Sequence, residues 1–168
     1  MSAWPKSDQE SLKAFYGNPD AGNDGLPDRS WEYSNLVKIS TPYPMVMAWN
    51  GMPLSRITIH RKCASSLLGI LSAIGSEFSE KEIKEYQLNR YGGGYNFRTM
   101  RGVNKLSVHA YGAAIDLAPD LNPLGRPQGL RPLMMPDRAV KIFERAGWTW
   151  GGLWKRPDGM HFQATTGA

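Results

Sequence analysis

The stretch LSVHAYGAAIDL at residues 106–117 decides how the rest of the chain is read. It sets His109 and Asp116 seven positions apart, with Gly112 between them. A shorter stretch, PDGMHFQ at 157–163, adds Asp158 and His161. As ligands of one ion, His109 and Asp116 must bring donor atoms within about 3–4 Å, because bonds to zinc are only ~2 Å long. A continuous helix would separate them by roughly 10.5 Å along its axis, and a continuous strand by more than about 20 Å on opposite faces. The chain must therefore turn between them. Gly112 can supply that turn, since it takes a positive φ without cost to a Cβ.

Beyond the turn, alternation predicts a strand over 113–117, with Ala113, Ile115 and Leu117 toward a core and Ala114 and Asp116 on the other face. Residues 156–159 (RPDG) fit a type I turn, with Pro at its second position and Gly at its fourth. A strand over 160–163 follows, burying Met160 and Phe162 and turning His161 and Gln163 the opposite way. Two neighbouring strands then present Asp116 and His161 together, and His109 completes the set. Three protein ligands with an open fourth position are the pattern of a catalytic rather than a structural zinc. Asp158, in the turn before His161, suits a general base acting on the attacking water. Cys63 is the only cysteine. An internal disulfide and a Cys-based zinc site are thereby excluded, and one zinc ion would be held by His and carboxylate.

At 168 residues the chain is expected to form a single catalytic domain over 1–168, with residues 1–35 as an N-terminal extension of helix plus loop. No separate binding module is evident. No run approaches the ~18 apolar residues of a membrane span, and the start lacks the charged and apolar regions of a secretory signal. The net charge of +5 is uneven, −3 over residues 1–35 and +8 over the remainder. A basic body favours polyanionic surroundings, but the Lys and Arg residues are scattered, as on an ordinary solvated surface. The expectation is a monomer with no nucleic-acid partner and no stable membrane association.

Along the chain, Ser7 and Glu10 have capping-box spacing for a short helix ending at Gly17. Residues 18–34 read as loop, and 37–39 and 57–59 as short strands with a Pro-rich irregular section between them. Cys63, Leu67, Ile70, Leu71 and Ile74 recur at spacings of three and four, predicting a helix over 60–74 with Gly75 just past its end. On that face Cys63 is an inert core residue, and His60 is structural. A short helix within 79–88 precedes Gly92, Gly93 and Gly94, and 95–98 reads as a strand. A Pro/Gly loop over 119–132 leads to a second helix over 136–146. Strands at 148–150 and 160–163 finish the chain. Helices and strands do not alternate regularly, so the fold class is α+β.

Ser107-x-His109-x-x-Gly112-x-Ala114-x-Asp116, followed by Asp158-x-x-His161, resembles the signature of the zinc D-Ala-D-Ala carboxypeptidase and L-alanyl-D-glutamate endopeptidase family. That family includes bacterial cell-wall peptidases, vancomycin-resistance dipeptidases and phage endolysins. Residues 92–102 (GGGYNFRTMRG) and Trp150-Gly151-Gly152-x-Trp154 are similar to the endolysin branch in particular. The resemblance implies a small antiparallel sheet backed by helices, shared with the zinc domain of hedgehog proteins. It implies His109, Asp116 and His161 as zinc ligands and Asp158 as base, and Asp where many relatives have Glu points toward endopeptidases. It also implies a substrate-polarising arginine upstream of the first motif, for which Arg98 is the first candidate and Arg101 the second. Ser107, Tyr111, Trp150 and Trp154 are candidate substrate-binding residues; Ser107 serves equally well as a turn former. The implied activity is hydrolysis of the peptidoglycan stem peptide, at the L-alanyl-D-glutamate bond, by a phage or prophage endolysin. Such an enzyme is made in the host cytoplasm and released to the wall through a holin. A D-Ala-D-Ala carboxypeptidase is the alternative within the family, and a non-catalytic zinc-containing binding module the alternative outside it.

Overall fold

The computed structural model describes residues 3–129 and 134–167; the expected loop at 119–132 therefore falls partly outside the described residues. The fold is α+β. Six strands form one sheet in the order β2-β1-β3-β4-β6-β5, comprising β1 (Leu36–Met47), β2 (Pro53–His60), β3 (Arg90–Gly93), β4 (Ala114–Leu117), β5 (Thr149–Trp150) and β6 (His161–Gln163). Only β1 and β3 run parallel; every other neighbouring pair is antiparallel. Among the described residues there are five α-helices, α1 (Gln9–Tyr16), α2 (Arg29–Asn35), α3 (Ala64–Glu77), α4 (Glu80–Glu85) and α5 (Asp137–Arg145). No helix among the described residues is long and apolar enough to cross a membrane.

The core forms where α3 and α5 lay their apolar faces on the sheet. Leu67, Ile70, Leu71 and Ile74 of α3 and Ala139, Val140, Ile142 and Phe143 of α5 are buried. Phe143 stacks on Phe162 of β6, with ring centroids 3.8 Å apart. That stack anchors the odd-numbered side chains of β6 on the opposite face, because side chains alternate along a strand.

Residues 1–35 contribute Trp4, Leu12 and Tyr16 to the same core. The last turn of α1 carries carbonyls without intrahelical partners, and distant side chains satisfy them. Both the Trp31 indole N–H and His60 Nε2 lie 3.0 Å from the Tyr16 carbonyl, and Lys62 Nζ donates to that of Phe15. The Tyr16 hydroxyl donates to the Ala164 carbonyl at 2.6 Å, tying α1 to the strand that carries His161. Cys63 is buried and its thiol is pushed up to about 12 by that burial, in keeping with an inert core residue.

Several local expectations need correction. The N-cap of α1 is Asp8, which accepts from Ser11 N–H, rather than Ser7. Helix α2 lies inside the stretch expected to be loop; the anchor missed there was Trp31. Strand β1 continues through the Pro-rich section to Met47. Pro42 and Pro44 fall in a register shift between Ser40 and Met45, where no ladder N–H is demanded of them. Helix α3 starts four residues late and runs past Gly75, whose bare Cα admits the Tyr43 ring: an added Cβ would meet Tyr43 Cδ1 at 3.1 Å. Residues 95–98 are irregular rather than a strand. The final turn is closed by His161 N–H to Asp158 C=O at 3.1 Å, two residues later than the RPDG pattern suggests.

Burial pushes the His60 imidazole below its ordinary value of 6.5, to about 4, with the Tyr16 hydrogen bond partly offsetting it. Between those two values the unfolded chain binds the extra proton, so stability rises with pH across the window. Acidifying from pH 7 to 4.5 should cost on the order of 2 kcal/mol through this residue alone. In urea unfolding at both pH values, His60→Gln should shrink the stability difference by about that amount; an unchanged difference would remove His60 from the account.

Candidate metal centre

Ser107 caps a single 3-10 turn, Val108–Tyr111, and its Oγ accepts the His109 backbone N–H at 3.3 Å. Gly112 ends the turn in the left-handed region, φ 65° and ψ 26°. Any Cβ there would also meet Leu36 Cδ2 at 2.8 Å and His60 N at 3.0 Å, so both conformation and space demand glycine. The chain then enters β4, where Asp116 stands directly across from His161 of β6. The turn and this register bring the three side chains together.

His109 Nε2 lies 3.1 Å from His161 Nδ1 and 3.3 Å from Asp116 Oδ1, and His161 Nδ1 lies 3.1 Å from the same oxygen. Both imidazoles are buried. Their protons are committed elsewhere. His109 Nδ1 is 2.7 Å from the Gly94 carbonyl, which can only accept, so Nδ1 carries the proton and Nε2 a lone pair. For His161 the tautomer follows from a chain of bonds. The Thr165 hydroxyl donates to the Gly167 carbonyl, and Thr165 Oγ1 therefore accepts the Gln163 amide N–H at 2.6 Å. The Gln163 amide oxygen then faces His161 Nε2 at 2.8 Å and must receive its proton. His161 Nδ1 is left as a second lone pair aimed at the first.

Two lone pairs facing each other at 3.1 Å cannot hydrogen-bond, and a carboxylate oxygen beside them deepens the demand for a cation. Zinc bonds of about 2.0–2.1 Å directed tetrahedrally give ligand–ligand edges of about 3.3–3.4 Å. The observed edges of 3.1, 3.1 and 3.3 Å match one face of such a tetrahedron. His109, Asp116 and His161 thus fit a divalent metal with one position left open. Without a cation, Asp116 is the group that a proton on either facing nitrogen would serve. Burial pushes its carboxyl up, but the hydrogen bond and charge that a protonated His109, then His161, would offer hold it well below the carboxylate range. His161 is correspondingly raised: burial opposes its charge, and Asp116 and then Gln163 outweigh that.

A cleft of about 250 Å³ opens over the triad, and Arg98, Arg101, Ser107, Trp154 and Asp158 all line it. The Asp158 backbone N–H is tied to the Gly151 carbonyl at 2.8 Å, and its carboxylate Oδ1 is buried without a partner. Burial pushes the Asp158 carboxyl above its ordinary range, against the opposing charge of His161. Two of the expected cleft residues are elsewhere. Tyr111 lies wholly in the core, its hydroxyl donating to Gln9 Oε1, because the 3-10 turn points it away from His109. Trp150 stacks along Phe162 and donates its indole N–H to the Gly159 carbonyl, bracing the Asp158 turn from behind. The Gln163–Thr165 relay was missed as a functional element. Its signal was the alternation His161-x-Gln163-x-Thr165: His161 and Gln163 share a face of the last strand, and Thr165 lies just past its end. A second carboxylate group, Asp20, Asp24 and Asp28, is engaged in accepting the backbone N–H groups of its own loop.

Residues 101–164 match the model of a family described as D-alanyl-D-alanine carboxypeptidase. That segment holds the three prospective ligands and Asp158, and the match supports the zinc-peptidase resemblance carried by the motifs. No curated protein and no solved structure matches the chain.

Because Gln163 fixes which nitrogen of His161 is free, Gln163→Leu should weaken zinc binding about 10–100-fold in a competition titration against a chelator. Gln163→Glu, which still accepts the Nε2 proton, should retain most of the affinity. Equal affinities for wild type and Gln163→Leu would deny the relay this role.

Proposed function

We propose that this chain is a zinc peptidase that hydrolyses the peptide stem of bacterial peptidoglycan, at the L-alanyl-D-glutamate bond. One observation carries the proposal. Two imidazole lone pairs and a carboxylate form an open tetrahedral face, and an unpartnered carboxylate, Asp158, lines the same cleft. His109, Asp116 and His161 would hold the metal, which when bound supplies Lewis acidity for the scissile carbonyl and the attacking water.

The chain's own groups handle the proton. Asp158, its basicity raised by burial, takes the proton of the water as the new C–O bond forms. It returns that proton to the leaving amine as the C–N bond breaks. Arg98, exposed at the cleft with only a long contact to the Thr99 carbonyl, has a guanidinium free to grip a substrate carboxylate or the developing oxyanion. Trp154, its ring 5.4 Å from that of His161, walls the cleft. Ser107 holds the His109 turn from within the lining. An unpaired buried carboxylate beside a metal triad argues for catalysis rather than for a zinc-containing binding module, which has no use for it.

The endopeptidase reading is favoured by the shape of the cleft. Beyond Trp154 and Val108 it continues into an apolar groove also lined by Met100, Leu106 and Lys155, leaving room for chain to extend past the centre. The D-Ala-D-Ala carboxypeptidase reading is favoured by the description of the matching family. The endolysin role, with host-cytoplasmic synthesis and holin-dependent release, rests on the motif resemblance alone. The whole chain is taken as one catalytic unit.

Purified protein should contain one zinc per chain and should degrade cell walls. Mass spectrometry of the digest should show new N-terminal D-glutamate; free D-alanine would instead mean the carboxypeptidase. Asp158→Asn should lower the rate at least 100-fold while zinc content stays at one. Truncation before His161 should abolish zinc and activity together. Wall lysis undiminished in Asp158→Asn would sink the mechanism.

A further inference from the structure

Five of the twenty Lys and Arg residues stand in ion pairs with acids among the described residues. Arg138 meets Glu82, Arg145 meets Glu77, Lys141 meets Asp137, Lys81 meets Glu85 and Arg90 meets Asp120. None of these pairs lies in the cleft, where cations converge instead. Arg98, Arg101 and Arg156 line the space over the metal triad, and Lys155 lines the groove that continues from it. All four are exposed, and none has a carboxylate partner among the described residues. They come from two segments, Arg98 and Arg101 from the one leading to His109, Lys155 and Arg156 from the one leading to Asp158. The carboxylate lining the cleft is Asp158, and Asp116 belongs to the triad beside it. With neutral histidines and a divalent cation, those two acids bring the centre to charge balance, so the rim cations stay uncompensated. Like charges gathered around one concave site repel unless an anion arrives, and such a rim selects for negative ligands.

The groove adds shape to the charge. Met100, Leu106, Val108 and Trp154 make an apolar channel of about 360 Å³, with Lys155 among its lining residues. That combination suits a flexible aliphatic chain ending in a negative group. Resting on the stem-peptidase reading, we propose that this groove recognises a stem whose third residue has an aliphatic side chain ending in a free carboxylate, as in diaminopimelate. Lys155 takes that carboxylate, and the arginines of the rim take the main-chain carboxylates of neighbouring stem residues. A stem with lysine at the third position presents an ammonium to Lys155, and an amidated stem presents a neutral group; both are poorer ligands.

The test compares three stem peptides that differ only at the third residue, which is diaminopimelate, its side-chain amide or lysine. With the zinc-loaded protein, kcat/KM for the free carboxylate should exceed that for the amide about three- to tenfold, the lysine stem being slowest. Lys155→Gln should bring the carboxylate-to-amide ratio close to one. Calorimetry of the same peptides provides a second readout that does not depend on turnover. Tighter binding of the free carboxylate without any cleavage would sustain this inference and defeat the peptidase reading. Equal binding and equal turnover of carboxylate and amide would overturn the inference and leave the peptidase reading standing.

Discussion

Everything at the centre depends on where two imidazole protons are held. The Gly94 carbonyl fixes one on His109 Nδ1, and the Gln163–Thr165–Gly167 chain fixes the other on His161 Nε2. Without those partners each ring could turn or change tautomer, and the pair would settle into an ordinary histidine–histidine hydrogen bond. With them, both lone pairs and the Asp116 carboxylate are forced into one small space. The backbone that supplies the two terminal acceptors is itself fixed by the fold. Gly94 follows β3, and Gly167 lies just beyond the bridge that pairs Thr166 with Lys6.

The short strands that carry the ligands are held by unlike neighbours. β6 has three residues, too few to define a strand by its ladder alone. Phe162 stacks on Phe143 beneath it, Tyr16 caps the Ala164 carbonyl just after it, and Trp150 grips the turn before it. The N-terminal helix therefore bears on the site although it contributes nothing to the triad. Tyr16 joins three distant parts through two atoms: its hydroxyl reaches Ala164, and its carbonyl receives both Trp31 and His60.

Features governed by near neighbours were legible in the sequence. The alternation in AIDL and HFQ set the faces of β4 and β6, and the short reach of a metal bond required a turn at Gly112. The short helix expected within 79–88 is α4, at Glu80–Glu85. Features governed by remote partners were not legible. Nothing near Trp31 reveals that its indole will find the Tyr16 carbonyl, so the helix it anchors looked like loop. Prolines 42 and 44 normally argue against a strand, and only the bulge opposite β2 lets β1 run through them. Tyr111 sits next to the motif in sequence, yet the tight 3-10 winding sends it to the opposite side from His109. Adjacency in sequence was a poor guide to a shared cleft there; strand alternation, which turned Gln163 the same way as His161, was the better one.

The choice of a neutral amide at position 163 has an electrostatic logic. A proton and a metal compete for the same lone pair on His161, and Asp116 already raises the attraction for both. A carboxylate at position 163 would make the ring more basic still, favouring the proton along with the metal and adding a third negative charge. The amide accepts the Nε2 proton and orients the ring without contributing a full charge. The centre can then reach balance with a divalent cation, Asp116 and Asp158 alone. Charge on the surrounding arginines and Lys155 is not consumed in stabilising the centre and remains available to whatever enters the cleft.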